Sequence, residues 1–305
     1  MTTGDDVRAA TARIAGRVRR TPVLRDGAAL FKLEYLQHTG SFKARGMLNR
    51  VLAAAQRGAL PPAGIIAASG GNAGLAAAYA AREVGVPAEV FVPVTAPPVK
   101  VAKLGKLGAR VVQTGAEYAE AYAAAVVQAE ATGALFCHAY DDPDMVAGNG
   151  SAGLELLEQL PDGFDTVLVA VGGGGLVAGV AAALHGHARV VAVEPQGCAT
   201  LASALAAGAP VDVPVSGVAA DSLGARRIGR IGYEVAVRTR VSSVLVSDEA
   251  IVDARRRLWQ DYRIVVEHGA ATAQAALTGG AYVPAAGERV VVLLCGANTD
   301  PADLG

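Results

Sequence analysis

The sequence contains no long run of like charge. Lys and Arg number 27 against 28 Asp and Glu in 305 residues, so nothing predicts an electrostatic surface for DNA, RNA or anionic lipid. Cysteine is scarce as well. Cys137, Cys198 and Cys295 stand far apart without CxxC spacing, which argues against a disulfide framework or a zinc site and for a reducing compartment. The N-terminus carries Asp5 and Asp6 where a secretory leader needs basic residues followed by an apolar core, and the expected location is cytoplasmic. One stretch, Thr166 to Ala188, lacks Asp, Glu, Lys and Arg, but the four consecutive glycines Gly172 to Gly175 would break a spanning helix. Strand, loop and helix explain that stretch better, and no membrane contact is expected. The partner these absences leave is a small molecule.

What the chain does have is apolar mass: 52% of it is hydrophobic and 18% charged, enough for one large or two modest domains with a buried core. Short β-rich runs alternate with alanine-rich helical runs, the pattern of βα units feeding parallel sheets. Expected strands are Ile65–Ala68, Glu89–Val92, Arg110–Gln113 and Leu135–His138, then Thr166–Val171, Val190–Val193, Val244–Val246 and Val290–Leu294. Ala73–Val84 and Tyr118–Ala131 read as crossover helices. The rhythm breaks at Asp141-Asp142-Pro143 and restarts after Gly163. A domain crossing is predicted there, with the first four strands in a smaller sheet, the later ones in a larger sheet and a ligand cleft between them.

Four segments carry chemistry. In Thr39-Gly40-Ser41-Phe42-Lys43-Ala44-Arg45-Gly46, preceded by Lys32-Leu33-Glu34, Lys43 is either an ordinary solvated lysine or a desolvated one whose lowered pKa lets it form an imine with an aldehyde. The setting of flanking glycines, an aromatic neighbour and a following helix favours the second. Ser69-Gly70-Gly71-Asn72-Ala73-Gly74 follows an apolar strand and opens a helix. It is either an anion-binding turn or a plain strand-to-helix turn with a Ser or Asn cap. Gly172-Gly173-Gly174-Gly175-Leu176 predicts a phosphate cradle, because no side chain obstructs the backbone N–H groups. Dinucleotide sites use similar turns, but no acid follows at a convincing ribose-binding position. Cys295-Gly296-Ala297-Asn298 ends the apolar strand Val290–Leu294. There Cys295 is either a small buried hydrophobe or a group facing the crevice at the strand C-termini.

Together these segments resemble the serine/threonine dehydratase family of fold type II pyridoxal-phosphate enzymes across nearly the whole chain. The resemblance implies an α/β, two-domain fold like that of the tryptophan synthase β chain, with parallel sheets flanked by helices. Residues 1–58 and 144–305 would form the large cofactor-binding domain and residues 59–143 the small domain. It implies pyridoxal 5'-phosphate held as a Schiff base by Lys43, with Phe42 packed on its ring, Asn72 on its ring hydroxyl, Gly172 to Leu176 around its phosphate and Cys295 at its pyridine nitrogen. Ser69, Gly70, Asn72 and Ala73 would bind the substrate carboxylate. The Asp141 to Gly150 stretch followed by Glu155 also matches the family. Departures occur at Ala73, where relatives often carry His, at Ser222 in place of a Gly, and at Thr200, where many relatives place an acid beside a mono- or divalent cation. Glu194 and Cys198 occupy the other positions of that cation site.

The implied activity is removal of water and ammonia from L-threonine, L-serine or a related β-hydroxy amino acid to give a 2-oxo acid, by a homodimer or higher homo-oligomer. The chain stops at Gly305 without an appended regulatory domain, so a catabolic or uncharacterised form is expected. A thiol at Cys295 is only a weak donor, which favours elimination over transamination. Other reactions of the same fold stay open, namely β-replacement, threonine synthesis and serine racemisation. From a different class, a non-catalytic protein with a dinucleotide-like fold is the alternative.

Overall fold

The computed structural model describes residues 2–27 and 29–304. Met1 and Gly305, on which part of the leader and chain-length readings rest, lie outside them. The chain opens with α1 (Gly4–Ile14), the hairpin β1 (Val23–Asp26) and β2 (Ala29–Lys32), and α2 (Lys43–Gln56). An alternating run follows: β3 (Ile65–Ala68), α3 (Asn72–Val84), β4 (Ala88–Val92), α4 (Pro98–Lys106), β5 (Arg110–Gln113), α5 (Tyr118–Thr132) and β6 (Leu135–Phe136). Helix α6 (Pro143–Gln159) leads to β7 (Thr166–Ala170), α7 (Gly175–Leu184), β8 (Arg189–Pro195), α8 (Thr200–Ala207), α9 (Ala220–Leu223) and α10 (Arg230–Thr239). The chain then runs through β9 (Ser242–Val246), α11 (Asp248–Tyr262), α12 (His268–Thr278) and β10 (Val290–Leu293).

Two sheets form, as the strand rhythm predicts. The smaller has the order β5-β4-β3-β6 and is parallel throughout. The larger has the order β1-β2-β10-β7-β8-β9 and is parallel except for β1. Central strand β7, Thr-Val-Leu-Val-Ala, is buried at every position, which is what a strand covered by helices on both faces requires. The stretch Thr166 to Ala188 resolves into β7, the glycine turn and α7. Among the described residues no helix is long and apolar enough to cross a membrane.

The expectation falls short in two places. The hairpin β1–β2 was not foreseen, because its short strands carry Arg25, Asp26 and Lys32 and lack an extended apolar run. Strand β6 ends at Phe136 rather than His138. The cause is the His138 ring, whose Nδ1 accepts the amides of Tyr140 (3.2 Å) and Asp141 (2.9 Å) and folds the chain away from the sheet. Immediately after, Asp142 caps α6 by accepting the Met145 amide at 3.0 Å, with Pro143 in the first turn. That cap starts the return to the large sheet.

Helix α2 packs between the two halves. Ala44, Met47, Leu48 and Val51 join Ile65 and Ala67 in the core of the small sheet, while its opposite side lies on α6. The order β2-β10-β7 sets what the strand ends can meet. Parallel pairing aligns Lys32 with Leu293 and Leu293 with Val169, so the segments that leave these three strands emerge side by side. They are the segments carrying Lys43, Cys295 and Gly172.

Candidate active site

One cleft is lined by Phe42, Lys43, Asn72, Tyr140, Gly172 to Leu176, Ser222, Glu267 and Cys295. Lys43 opens α2, and the chain just before it is tied to the end of β10. Phe42 N donates to Cys295 O (3.0 Å), Ala297 N donates to Gly40 O (2.9 Å), and Ser41 bridges Gly296. These ties bring the Lys43 amine and the Cys295 thiol to one place from opposite ends of the sequence. Lys43 Nζ donates to Ala139 O at 2.8 Å and lies 5.1 Å from the centre of the Phe42 ring. Burial lowers its pKa to about 8, with Cys295 and Glu267 pulling the other way. Burial also pushes the Cys295 thiol up, so it stays protonated at neutral pH.

The glycine turn after β7 is built as an anion cradle. Gly174 has φ +87°, a left-handed conformation that glycine adopts without strain. The turn leads directly into α7, whose dipole favours negative charge at that end. Among the described residues, none of the amides of Gly172 to Leu176 donates to a turn, loop or cap hydrogen bond. Five unspent donors at a helix N-terminus, within one cleft with a buried lysine, are the donor set a phosphate monoester bearing an aldehyde requires. Pyridoxal 5'-phosphate therefore fits the residues present. A substitution tests the cradle. Gly174→Val brings both an unfavourable φ and a Cβ about 2.8 Å from Ile228 Cδ1, so the affinity for pyridoxal phosphate falls by at least about tenfold in an equilibrium titration. Unchanged affinity would place the phosphate elsewhere.

Ser69 to Ala73 span the turn after β3 and the first two residues of α3. Ser69 Oγ accepts the Gly71 amide at 3.2 Å, and a Cβ at Gly74 would stand 1.9 Å from Ser69 O, so only glycine allows so tight an entry to the helix. Asn72 reaches into the cleft, while Ala73 is buried in the first turn. Ser222 lines the cleft beside Gly269.

Glu194 and Cys198 lie one layer away from the cleft. The Glu194 carboxylate accepts the amides of Leu201 (2.7 Å) and Ala202 (2.8 Å) and the hydroxyl of Ser243 (2.5 Å). It caps α8, whose first residue, Thr200, donates its hydroxyl to Gly172 O at 2.6 Å. The acid thereby helps shape the cradle. Cys198 is fully buried, and burial raises its thiol to about 11. Among the described residues no group of three or more His, Cys, Asp and Glu side chains could hold a metal ion.

Two polar lining residues, Tyr140 and Glu267, are not marked by the sequence. Tyr140 packs its ring where a Cβ on Gly173 would otherwise sit, at 2.2 Å. Glu267, the residue before α12, points its carboxylate at Asn72, and Asn72 Nδ2 donates to Glu267 Oε1 at 2.8 Å. Burial, with Asp221 nearby, raises the Glu267 carboxyl to about 7. The only available signal was an acid ending the apolar run Ile264-Val265-Val266 before a small-residue helix.

The sequence profile described as "Pyridoxal-phosphate dependent enzyme" matches residues 14–296. L-threonine ammonia-lyase from Geobacter sulfurreducens is 40% identical over 300 residues, 94% of this chain and 73% of that protein. Phenylserine dehydratase from Ralstonia pickettii is 39% identical over 305 residues, 95% of this chain and 91% of that one. The structure of maize serine racemase superposes with a TM-score of 0.91 at 32% identity, covering 99% of this chain and 95% of that one.

Proposed function

This chain belongs to the pyridoxal-phosphate-dependent enzymes, and on that premise we propose that it is an ammonia-lyase converting L-threonine, L-serine or a related β-hydroxy amino acid to a 2-oxo acid and ammonium. The observation that carries the reading is the buried Lys43 amine in one cleft with an open phosphate cradle and the Asn72 turn. When bound, pyridoxal phosphate supplies an aldehyde that captures amines and a ring that accepts electrons from Cα. The protein supplies placement and proton transfer. Gly172 to Leu176 hold the phosphate through backbone N–H groups, and Phe42 packs against the ring. The open first-turn amides of α3, after Ser69 to Gly71, receive the substrate carboxylate. Lys43 Nζ, unprotonated above about pH 8, is the nucleophile that retains the cofactor and the base that takes the α-proton. Cys295 offers the pyridine nitrogen only a weak S–H donor. The three cysteines are free and buried, which suits a reducing, cytoplasmic setting.

The resemblance to a serine racemase raises a second reading, and the turn at Gly70 weighs against it. Racemisation needs a proton donor on the face of the substrate opposite Lys43. Gly70, which has no side chain, offers no proton there. Incubation of the cofactor-loaded protein with L-threonine, L-serine, 3-hydroxyaspartate and a bulkier β-hydroxy amino acid tests both readings. The expected result is 2-oxo acid release from at least one of them, with D-serine forming from L-serine at less than about a tenth of the pyruvate rate. No 2-oxo acid from any substrate would overturn the lyase assignment. D-Serine at a rate comparable to pyruvate, by chiral chromatography, would show that the opposite-face donor exists.

A further inference from the structure

Asn72 is held from the far side of the cleft. Its Nδ2 donates to Glu267 Oε1 (2.8 Å), and its Oδ1 accepts from Asn298 Nδ2 at 2.6 Å. Asn298 is itself fixed, since Nδ2 also donates to Thr39 O at 2.7 Å. Glu267 is equally anchored: its backbone N donates to Gly296 O at 3.1 Å. Asn72 follows β3 of the small sheet, whereas Glu267 immediately precedes α12 and Asn298 lies in the segment after β10 of the large one. No small-sheet residue among those described bonds the Asn72 side chain. An asparagine at a helix start ordinarily spends its side-chain oxygen on that helix's own amides. Here the oxygen faces Asn298 instead, and the amides of Asn72, Ala73 and Gly74 stay open.

We propose that Glu267 and Asn298 form a polar latch that grips Asn72 across the cleft and holds the Ser69–Ala73 turn closed over Lys43, making both of them positioning residues for amino-acid binding. The two partners also fix which end of the Asn72 amide faces which way. One N–H and one lone pair of that amide remain for a ligand. Above about pH 7, where the buried Glu267 carboxyl is ionised, its bond is of the charge-assisted kind, the stronger class. The role assigned to the turn rests on the lyase reading above, but the latch itself can be observed without turnover.

The test is hydrogen exchange, followed by mass spectrometry, on the full chain with and without pyridoxal phosphate. Glu267→Ala and Asn298→Ala should each accelerate exchange in the peptide spanning Ser69 to Leu75 by roughly ten- to a hundredfold, the loss of one or two hydrogen bonds, while peptides from β7 and β8 stay protected. Glu267→Gln keeps a carbonyl acceptor for Asn72 and should restore most of that protection. In the loaded enzyme, KM for the amino acid should rise more than kcat falls. Unchanged exchange in the Ser69–Leu75 peptide would overturn the latch. So would acceleration spread evenly over the chain, or a glutamine variant that exchanges as fast as the alanine variant. If the exchange pattern holds but no hydroxy amino acid is turned over, the lyase reading fails and the latch stands. If turnover is seen with unchanged exchange, the reverse is true.

Discussion

Lys43→Ala lowers turnover by at least about a thousandfold, since a positioned acid–base group alone contributes roughly 10²- to 10⁴-fold and here the same amine also retains the cofactor. Among the described residues lining the cleft, Lys43 is the only amine. The substitution should leave the fold intact. Lys43 Nζ gives one hydrogen bond to a neutral carbonyl, and its charge is disfavoured by burial. Borohydride reduction of the loaded wild type should attach the cofactor to the peptide containing Lys43 and to no other, while the alanine variant should retain none after dialysis. The pH dependence of cofactor capture by the cofactor-free protein has a definite sign. A lysine must be unprotonated to attack, and burial lowers Lys43 to about 8 from 10.5. Capture therefore speeds up as pH rises towards about 8 and levels off above it. A rate still climbing steeply between pH 9 and 10 would show an ordinary solvated lysine. A Lys43→Ala protein that turns over at a measurable fraction of the wild-type rate would remove Lys43 from the mechanism.

The parts of this site that were legible in the sequence are those written locally. Gly172 to Gly175 sit between an apolar strand and an apolar helix, and that order alone fixes a turn with exposed amides. The same logic located Ser69 to Asn72 after β3 and Cys295 after β10. The two-sheet arrangement followed from the break at Asp141-Asp142-Pro143, where the structure starts a new helix under an aspartate cap.

What was not legible depends on contacts between distant segments. Glu267 meets Asn72 across 195 positions, and no spacing rule joins them. Tyr140 fills the space beside Gly173 only because His138 bends the chain after β6. Glu194 could be placed next to Thr200, but the tie from Thr200 to Gly172 O emerges only when α8 docks beneath the cradle. The Lys32-Leu33-Glu34 motif was visible as a pattern. Its physical reason was not, because the partners that explain it, Arg45 and Glu155, lie on α2 and α6.

Those partners lead to the second large effect, a loss of stability. Lys32, Glu34 and Arg45 are fully buried, a costly arrangement unless every charge is paired and hydrogen-bonded. They are paired. Arg45 Nε and Nη2 each donate to Glu34 at 2.8 Å, and Nη1 and Nη2 donate to Glu155 at 2.7 and 2.9 Å. Lys32 Nζ donates to Glu155 Oε2 (2.6 Å), Thr21 O (2.8 Å) and Gln159 Oε1 (2.9 Å). Two cations thus balance two carboxylates around the root of α2, two residues beyond Lys43. Burial works to raise the Glu34 carboxyl, but Arg45 and Lys32 hold it below the usual carboxylate range. Its contribution is therefore present above the ordinary carboxylate pKa and is lost as pH falls through the lowered value. Arg45→Met leaves a net negative charge sealed in the core and should cost about 3–5 kcal/mol in urea unfolding. Removing one charge of each sign, in Arg45→Met with Glu34→Leu, leaves Lys32 paired with Glu155 and should recover part of that loss, so the two substitutions are not additive. Cofactor capture by the single variant should weaken too, because the helix that presents Lys43 loses its anchor. A double variant as unstable as the sum of the two single ones would show that the four groups act as separate contacts and that their charge balance does not hold α2 in place.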